Sequence, residues 1–297
     1  MPIRIATAPV SWGILEVEGW AWNRTWEQVL DEMAAAGYAG TELGPYGFLP
    51  TDPQALRKAL ASRHLQLLGA FVPLPLADPS RKDQAIAEAM PVAELLAAAG
   101  APLLVLADRM DARRMAVAGR AAAADGLSDE AWRGAAEVVN AVAAKVRPLG
   151  LRCAFHHHAG TFVETPAELE RLLTLTDPDL VGVCLDTGHY WYGGGDPAAF
   201  ARAHAGRIWH LHLKDVRGEV LERARRERTG YLDAVRGGIF CPLGEGAVPI
   251  RETLGALEAA GFDGWAVFEQ DIDPQQAGAR PAETARQSRE FVRGLGF

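Results

Sequence analysis

Short apolar runs alternate with longer amphipathic, alanine-rich stretches along the whole chain, and this alternation predicts repeated strand–helix units. Strands are predicted at 3–9, 40–44, 65–72, 102–108, 151–158, 180–186, 207–215 and 264–270. Helices are predicted near 24–36, 53–63, 79–99, 128–147, 166–175, 197–204 and 281–294, with a further helical piece inside an irregular charged region over 217–248. The first helix closes at Gly37, and the second opens on "TDP", a capping residue followed by proline in the first turn. Eight strand–helix repeats are the number that closes a parallel sheet on itself. The expected fold class is therefore α/β, a single (β/α)8 TIM barrel, occupying one domain over 1–297. An open doubly wound sheet would carry a GxGxxG turn between the first strand and helix, and none is present. The longest irregular connections, 108–127 and 217–242, are the expected lids or interfaces.

Composition narrows the setting without changing this picture. A chain of 297 residues with 49% hydrophobic content has ample length for a large core. The net charge of −8 argues against binding along a phosphate backbone, so no nucleic-acid partner is expected. No apolar run reaches the roughly 20 residues that span a bilayer, and the N-terminal stretch lacks a signal-peptide pattern. Three cysteines, Cys153, Cys184 and Cys241, have no metal-binding or redox spacing and read as buried apolar residues of a cytoplasmic protein. A homo-oligomer is compatible with all of this.

Candidate chemistry gathers at the carboxyl ends of the predicted strands, where barrel active sites lie: Glu42, His156 to His158, Asp186, His212, Lys214 and Glu269. Alternation along each strand assigns side chains to faces. In the fifth strand His156 and His158 share a parity with Ala154 and point inward, whereas His157 points away. In the seventh, His210, His212 and Lys214 share one parity, and in the eighth Glu269 shares parity with Val267. Two imidazoles, His156 and His212, and two carboxylates, Asp186 and Glu269, thus meet at one end and form a site for one divalent metal. Mixed oxygen and nitrogen ligation suits Mn²⁺ or Co²⁺, with Zn²⁺ or Fe²⁺ as alternatives, better than Mg²⁺ or Ca²⁺.

The segments "VCLDTGHYWYGGGDP", "HLHLKDV", "PLGEGAVP" and "GFDGWAVFEQD" resemble those of the xylose-isomerase-like TIM barrels, the sugar phosphate isomerase/epimerase superfamily. "APVSWG", "GTELGPYGFLP" and "HHHAGTFVET" resemble more narrowly its inosose dehydratase branch. The resemblance runs from the first strand to the last. It implies a divalent metal held by Glu, Asp, His and Glu from four strands, of which Asp186, His212 and Glu269 match. The first glutamate of the family stands in a pattern like E-N-H-A-G-T, which here reads His156 to Thr161, so His156 replaces it.

That exchange removes one negative charge from the metal site and one candidate base from the substrate's face, which favours loss of water over reprotonation from the opposite side. The resulting expectation is a metal-dependent lyase acting on a small polyol ketone or keto-sugar of the inosose type. A ketose or sugar phosphate isomerase or epimerase on the same scaffold is the alternative. Glu269 and His158 are the candidate proton-transfer groups and Lys214 the partner of the developing oxyanion. Trp12, Glu42, His189, Arg217 and Glu245 are the candidate substrate contacts. A multi-metal phosphodiesterase resembling endonuclease IV would need further histidines on earlier strands, and the chain offers only His64 there. A polyol-binding barrel without turnover is the non-enzymatic rival.

Overall fold

A computed structural model describes all residues except 1, 2, 16, 18, 19, 21, 274 and 276–279. Its barrel strands are Arg4–Thr7, Gly40–Thr41, a third in two pieces (Gln66–Leu67 and Gly69–Leu74), Leu103–Asp108, Arg152–His156, Val181–Asp186, Ile208–Leu213 and Trp265–Phe268. Every pairing among them is parallel, and each strand lies beside its neighbour in sequence. The eighth pairs with the first through Ala266 opposite Ile5. The third strand is interrupted at Leu68: its first piece pairs with Gly40–Thr41 and its second with Leu103–Asp108. The break does not open the ring, because the Leu68 amide donates to the Thr41 carbonyl at 3.0 Å and the Leu43 amide to the Gly69 carbonyl at 2.9 Å. The fold is the α/β TIM barrel expected from the strand count.

Parallel strands are covered on their outer face by the helices, so the largest apolar cluster lies between strands and helices. Two smaller clusters fill the interior, one around Ala6, Leu68 and Val267, the other around Val105, Ala154 and Cys184. The helices start where short polar side chains stop the strand–helix loops. Thr25 and Gln28 cap Trp26–Ala35 reciprocally, Asp52 caps Pro53–Ala61, Ser128 caps Asp129–Val146, and Thr165 with Glu168 caps Pro166–Leu175.

Five helical segments add to or refine the sequence expectation. Thr187–Tyr192 follows the sixth strand directly and is capped by Asp186, a residue read from sequence only as a metal ligand. Ile250–Ala259 supplies the helix between the seventh and eighth strands, downstream of the region where a helical piece was expected. That region holds two helices, Gly218–Glu227 and Tyr231–Arg236, where one helical piece was expected, and 108–127 holds the short helix Ala112–Val117. The two excursions are tied together. Arg120 donates to the Thr229 carbonyl at 3.0 Å, and Arg225 donates to the Gly119 carbonyl at 3.0 Å and the Tyr192 carbonyl at 3.1 Å.

The amino-terminal end of the barrel closes on Trp209, whose indole is stacked under the Arg152 guanidinium at 4.0 Å. The sixth and seventh strands shift register at Val183 and Cys184, and the indole lies over Gly182, where a Cβ would stand 2.1 Å from Trp209 Cδ2. Gly182→Val should therefore cost about 1–3 kcal/mol by forcing the indole aside. A lower urea midpoint with an unchanged circular dichroism spectrum is the expected result, and an unchanged midpoint would refute the packing argument.

Two loops at the opposite end hang on one carboxylate: Asp108 accepts the Leu76 amide at 3.3 Å and the Phe162 amide at 3.0 Å. Burial raises the Asp108 pKa from 3.8 to about 7, against the lowering effect of these amides. The folded state thus holds a proton that the unfolded chain releases, and this contribution to stability fades as pH rises from about 4 through 7. Urea midpoints of wild type and Asp108→Asn should diverge in the variant's favour as pH rises from about 4 to about 7. Parallel pH profiles for the two proteins would show that Asp108 is already ionised in the folded state.

Candidate metal centre and active site

Four side chains from adjacent strand ends converge: His156 at the end of the fifth strand, Asp186 at the end of the sixth, His212 in the seventh and Glu269 just past the eighth. All four are buried, and one ligand atom from each lies within 4.8 Å of the others. Helix capping divides the Asp186 carboxylate. Its Oδ1 accepts the His189 amide at 2.7 Å, while Oδ2 has no hydrogen-bond partner and stands 3.5 Å from His156 Nε2.

His212 is divided in the same way. Its Nε2 lies 2.9 Å from Glu42 Oε1, and Nδ1, without a hydrogen-bond partner, is 3.2 Å from Glu269 Oε2 and 3.9 Å from Asp186 Oδ2. Burial alone would raise the Glu42 pKa, but His212 and His210, the latter 2.7 Å away, outweigh it and hold the carboxyl below its ordinary range. An ionised Glu42 can only accept, so a proton sits on His212 Nε2, and Nδ1 is the ring nitrogen that a cation in the cluster could take in place of a proton. Buried polar atoms are costly without partners. Asp186 Oδ2 and His212 Nδ1 are unpartnered at one point, and a cation bound there would satisfy both. The residues present fit a divalent metal.

A second group stands beside the first. Lys214 places its ammonium 2.8 Å from Asp271 Oδ1, 3.0 Å from His189 Nε2, 3.3 Å from Glu269 Oε2 and 3.5 Å from Asp186 Oδ2. Burial would lower the Lys214 pKa, yet Asp186, Asp271 and Glu269 reverse the effect and hold it above the ordinary lysine value, so the residue stays charged. Asp271 Oδ2 accepts the Tyr231 hydroxyl at 2.6 Å. His158 borders this group: its Nδ1 is 2.7 Å from the Ala159 carbonyl, which can only accept, so Nδ1 carries the proton and Nε2 is free. Burial, and then the neighbouring His156, lower the His158 pKa to about 4, and the ring is neutral at pH 7.

These groups form part of the wall of a cavity of about 920 Å³ at the carboxyl end of the barrel. His156, His158, Lys214, Glu269, Asp271 and Glu42 line it, with Tyr231 and Asp108. Other residues expected at the site lie elsewhere. Trp12 is buried outside the cavity and donates its indole N–H to Glu32 Oε2 at 2.7 Å. Arg217 and Glu245 pair with each other at 3.0 Å in the open, away from the cavity lining. Glu42 does line the cavity, but its Oε1 is taken by two imidazoles. His189 is fully buried behind His158, ring centroids 3.8 Å apart, and its Nδ1 accepts the Ala159 amide at 3.3 Å. His157 packs against Tyr190 and accepts the Asp186 amide on Nε2 at 3.3 Å.

Asp271 and Tyr231 were not singled out from the sequence. Asp271 shares its alternation with Glu269 and could have been found by extending the eighth strand's parity two residues. Tyr231 lies inside an irregular excursion, and no spacing points to it.

The chain matches the family model described as xylose isomerase-like TIM barrel over residues 30–295. It is 34% identical over 296 residues to an inosose dehydratase from Geobacillus kaustophilus (strain HTA426), covering 98% of this chain and 94% of that protein. It is 38% identical over 279 residues to the rhizopine catabolism protein MocC of Rhizobium meliloti, covering 93% of this chain and 84% of the relative. Among solved structures, that of the IOLI protein with a binding zinc atom superposes with a TM-score of 0.74 at 16% identity, covering 99% and 98% of the two chains. At that identity the likeness speaks for the fold alone. The arrangement of strands, the converging ligands and the near-full-length matches agree: the chain belongs to the xylose isomerase-like TIM barrel family.

Proposed function

We propose that this chain is a divalent-metal-dependent carbon–oxygen lyase that removes water from a keto-inositol of the inosose type, the activity its near-full-length relatives are named for. The observation that carries the reading is the meeting of a His–Asp–His–Glu set, in which Asp186 Oδ2 and His212 Nδ1 have no hydrogen-bond partner, with a fixed ammonium and a neutral imidazole at one cavity.

His156, Asp186, His212 and Glu269 would hold the metal, and the imidazole–carboxylate mixture suits Mn²⁺ or Co²⁺, with Zn²⁺ or Fe²⁺ as alternatives. When bound, the metal supplies Lewis acidity toward the ketone oxygen. The remaining work falls to the chain. Lys214, whose ammonium is fixed before substrate arrives, faces the oxygen on which negative charge develops. His158 Nε2, lone pair outward and neutral at pH 7, takes the proton from the carbon next to the carbonyl. That C–H pair becomes the new C=C bond, the neighbouring C–O bond breaks, and the departing hydroxyl receives the proton from His158 and leaves as water. Atoms and electrons balance without an oxidant or reductant.

Glu269, considered from sequence as a base, is committed to the metal group and to Lys214, which leaves His158 as the freer proton acceptor. The carboxylate that the epimerases of this superfamily employ is replaced here by His156, and elimination follows more readily than inversion. We read residues 1–297 as one cytoplasmic barrel domain acting on a small molecule, with no nucleic-acid or membrane partner.

Incubation of the metal-loaded enzyme with inosose should give a product lighter by one water, with a new ultraviolet absorbance, and chelation should abolish it. A product of unchanged mass and altered stereochemistry would replace this reading by the epimerase. His158→Gln should lower kcat by roughly 10²–10⁴-fold with KM little changed, and a variant that keeps wild-type kcat would remove His158 from the mechanism. Glu42→Gln should weaken metal binding about 10–100-fold by releasing the His212 ring, as read by calorimetric titration of the metal-free protein.

A further inference from the structure

The ligand set that suits a metal does not stand alone. His158, His189 and Asp271 form a second group of ligand atoms within 4.8 Å of one another, and it shares no residue with His156, Asp186, His212 and Glu269. Two adjacent groups of this kind, each with imidazole and carboxylate donors, have the composition of a site for two cations. Only one place is left for a metal, because the other already holds a charge. The Lys214 ammonium touches both groups, at 2.8 Å and 3.0 Å from Asp271 and His189 in one and at 3.3 Å and 3.5 Å from Glu269 and Asp186 in the other.

The surroundings hold the ammonium at that point. The Lys214 side chain is 2% exposed, and its amine lies over the Phe240 ring at 5.2 Å, a face that attracts cations. Its amide donates to Thr187 Oγ1 at 2.9 Å, and the same hydroxyl donates to its carbonyl at 2.8 Å. The aliphatic stem passes Gly188, where a Cβ would come within 2.8 Å of Lys214 Cβ and Cγ. Tyr231 occupies Asp271 Oδ2 and leaves Oδ1 for the amine. Three buried carboxylates, Asp186, Glu269 and Asp271, thus share one lysine beside the cavity.

We propose that the Lys214 ammonium occupies the second cation position of this site, so that the chain holds a single divalent ion, and that its removal exposes a latent second metal site formed by His158, His189 and Asp271. A dication and an ammonium cannot share so short a space without strong repulsion. The ammonium gains something a metal lacks: it is covalently attached, cannot be lost to a chelator, and donates hydrogen bonds to a developing oxyanion. The proposal rests on the reading that His156, Asp186, His212 and Glu269 hold the first ion.

The test is a zinc count. Metal-free wild type, Lys214→Met, Lys214→Arg and the double variant Lys214→Met with Asp271→Asn are dialysed against buffered Zn²⁺, and bound zinc per chain is measured by mass spectrometry. Wild type and Lys214→Arg should bind one ion, Lys214→Met should show a two-fold rise, and the double variant should return to one. A single ion in a natively folded Lys214→Met, or two ions of comparable affinity in wild type, would overturn the proposal. No zinc in wild type would instead refute the metal reading of the first group. If Lys214→Met folds only with zinc, the count is made on the refolded protein; failure to fold even then also overturns the proposal, since a divalent ion should restore the missing charge.

Discussion

Burying negative charge is the constraint on which this end of the barrel depends. Carboxylates taken out of water must find cations or donors, and Glu42, Asp186, Glu269 and Asp271 are all taken out of water together. Each solves the problem differently. Glu42 accepts from two imidazoles, Asp186 caps a helix with one oxygen, Asp271 takes a phenol and an ammonium, and Glu269 stands between His212 and Lys214. The oxygen left over on Asp186, Oδ2, is the one that stands beside His156 and His212. Local folding rules and site chemistry are satisfied by the same atoms.

Much of this was legible in the sequence because a barrel strand has a period of two and a known functional end. That rule placed His156, Asp186, His212 and Glu269 at one locus, and the same alternation set Lys214 beside them. The eight-strand count was readable because most strands are apolar runs and several of the helices between them open on a capping side chain. What escaped lies beyond the reach of periodicity. Asp271 lies past the last paired residue of its strand, and Tyr231 opens a short helix in an excursion outside the strand–helix repeat. The helix Thr187–Tyr192 begins on a residue already committed to the site, and its aromatic "TGHYWY" has no amphipathic stripe.

Other expectations show how proximity in sequence misleads. Trp12 follows the first strand end but turns into the packing around Glu32, because its indole N–H finds a carboxylate there. Arg217 lies three residues beyond Lys214, yet the chain has left the barrel by then and the guanidinium meets Glu245 in solvent. A strand end directs only the first residue or two after it; farther on, the loop's own hydrogen bonds decide.

The bond from Arg225 to both Gly119 and Tyr192 joins three connections that belong to three different strands. With Arg120 on Thr229, it makes the rim of the cavity behave as a hoop and not as separate flaps. Motion at the rim is then collective: widening it at the fourth strand's excursion must also tug the short helix that starts on Asp186. A push at the rim is thereby passed to the helix capped by the Asp186 carboxylate.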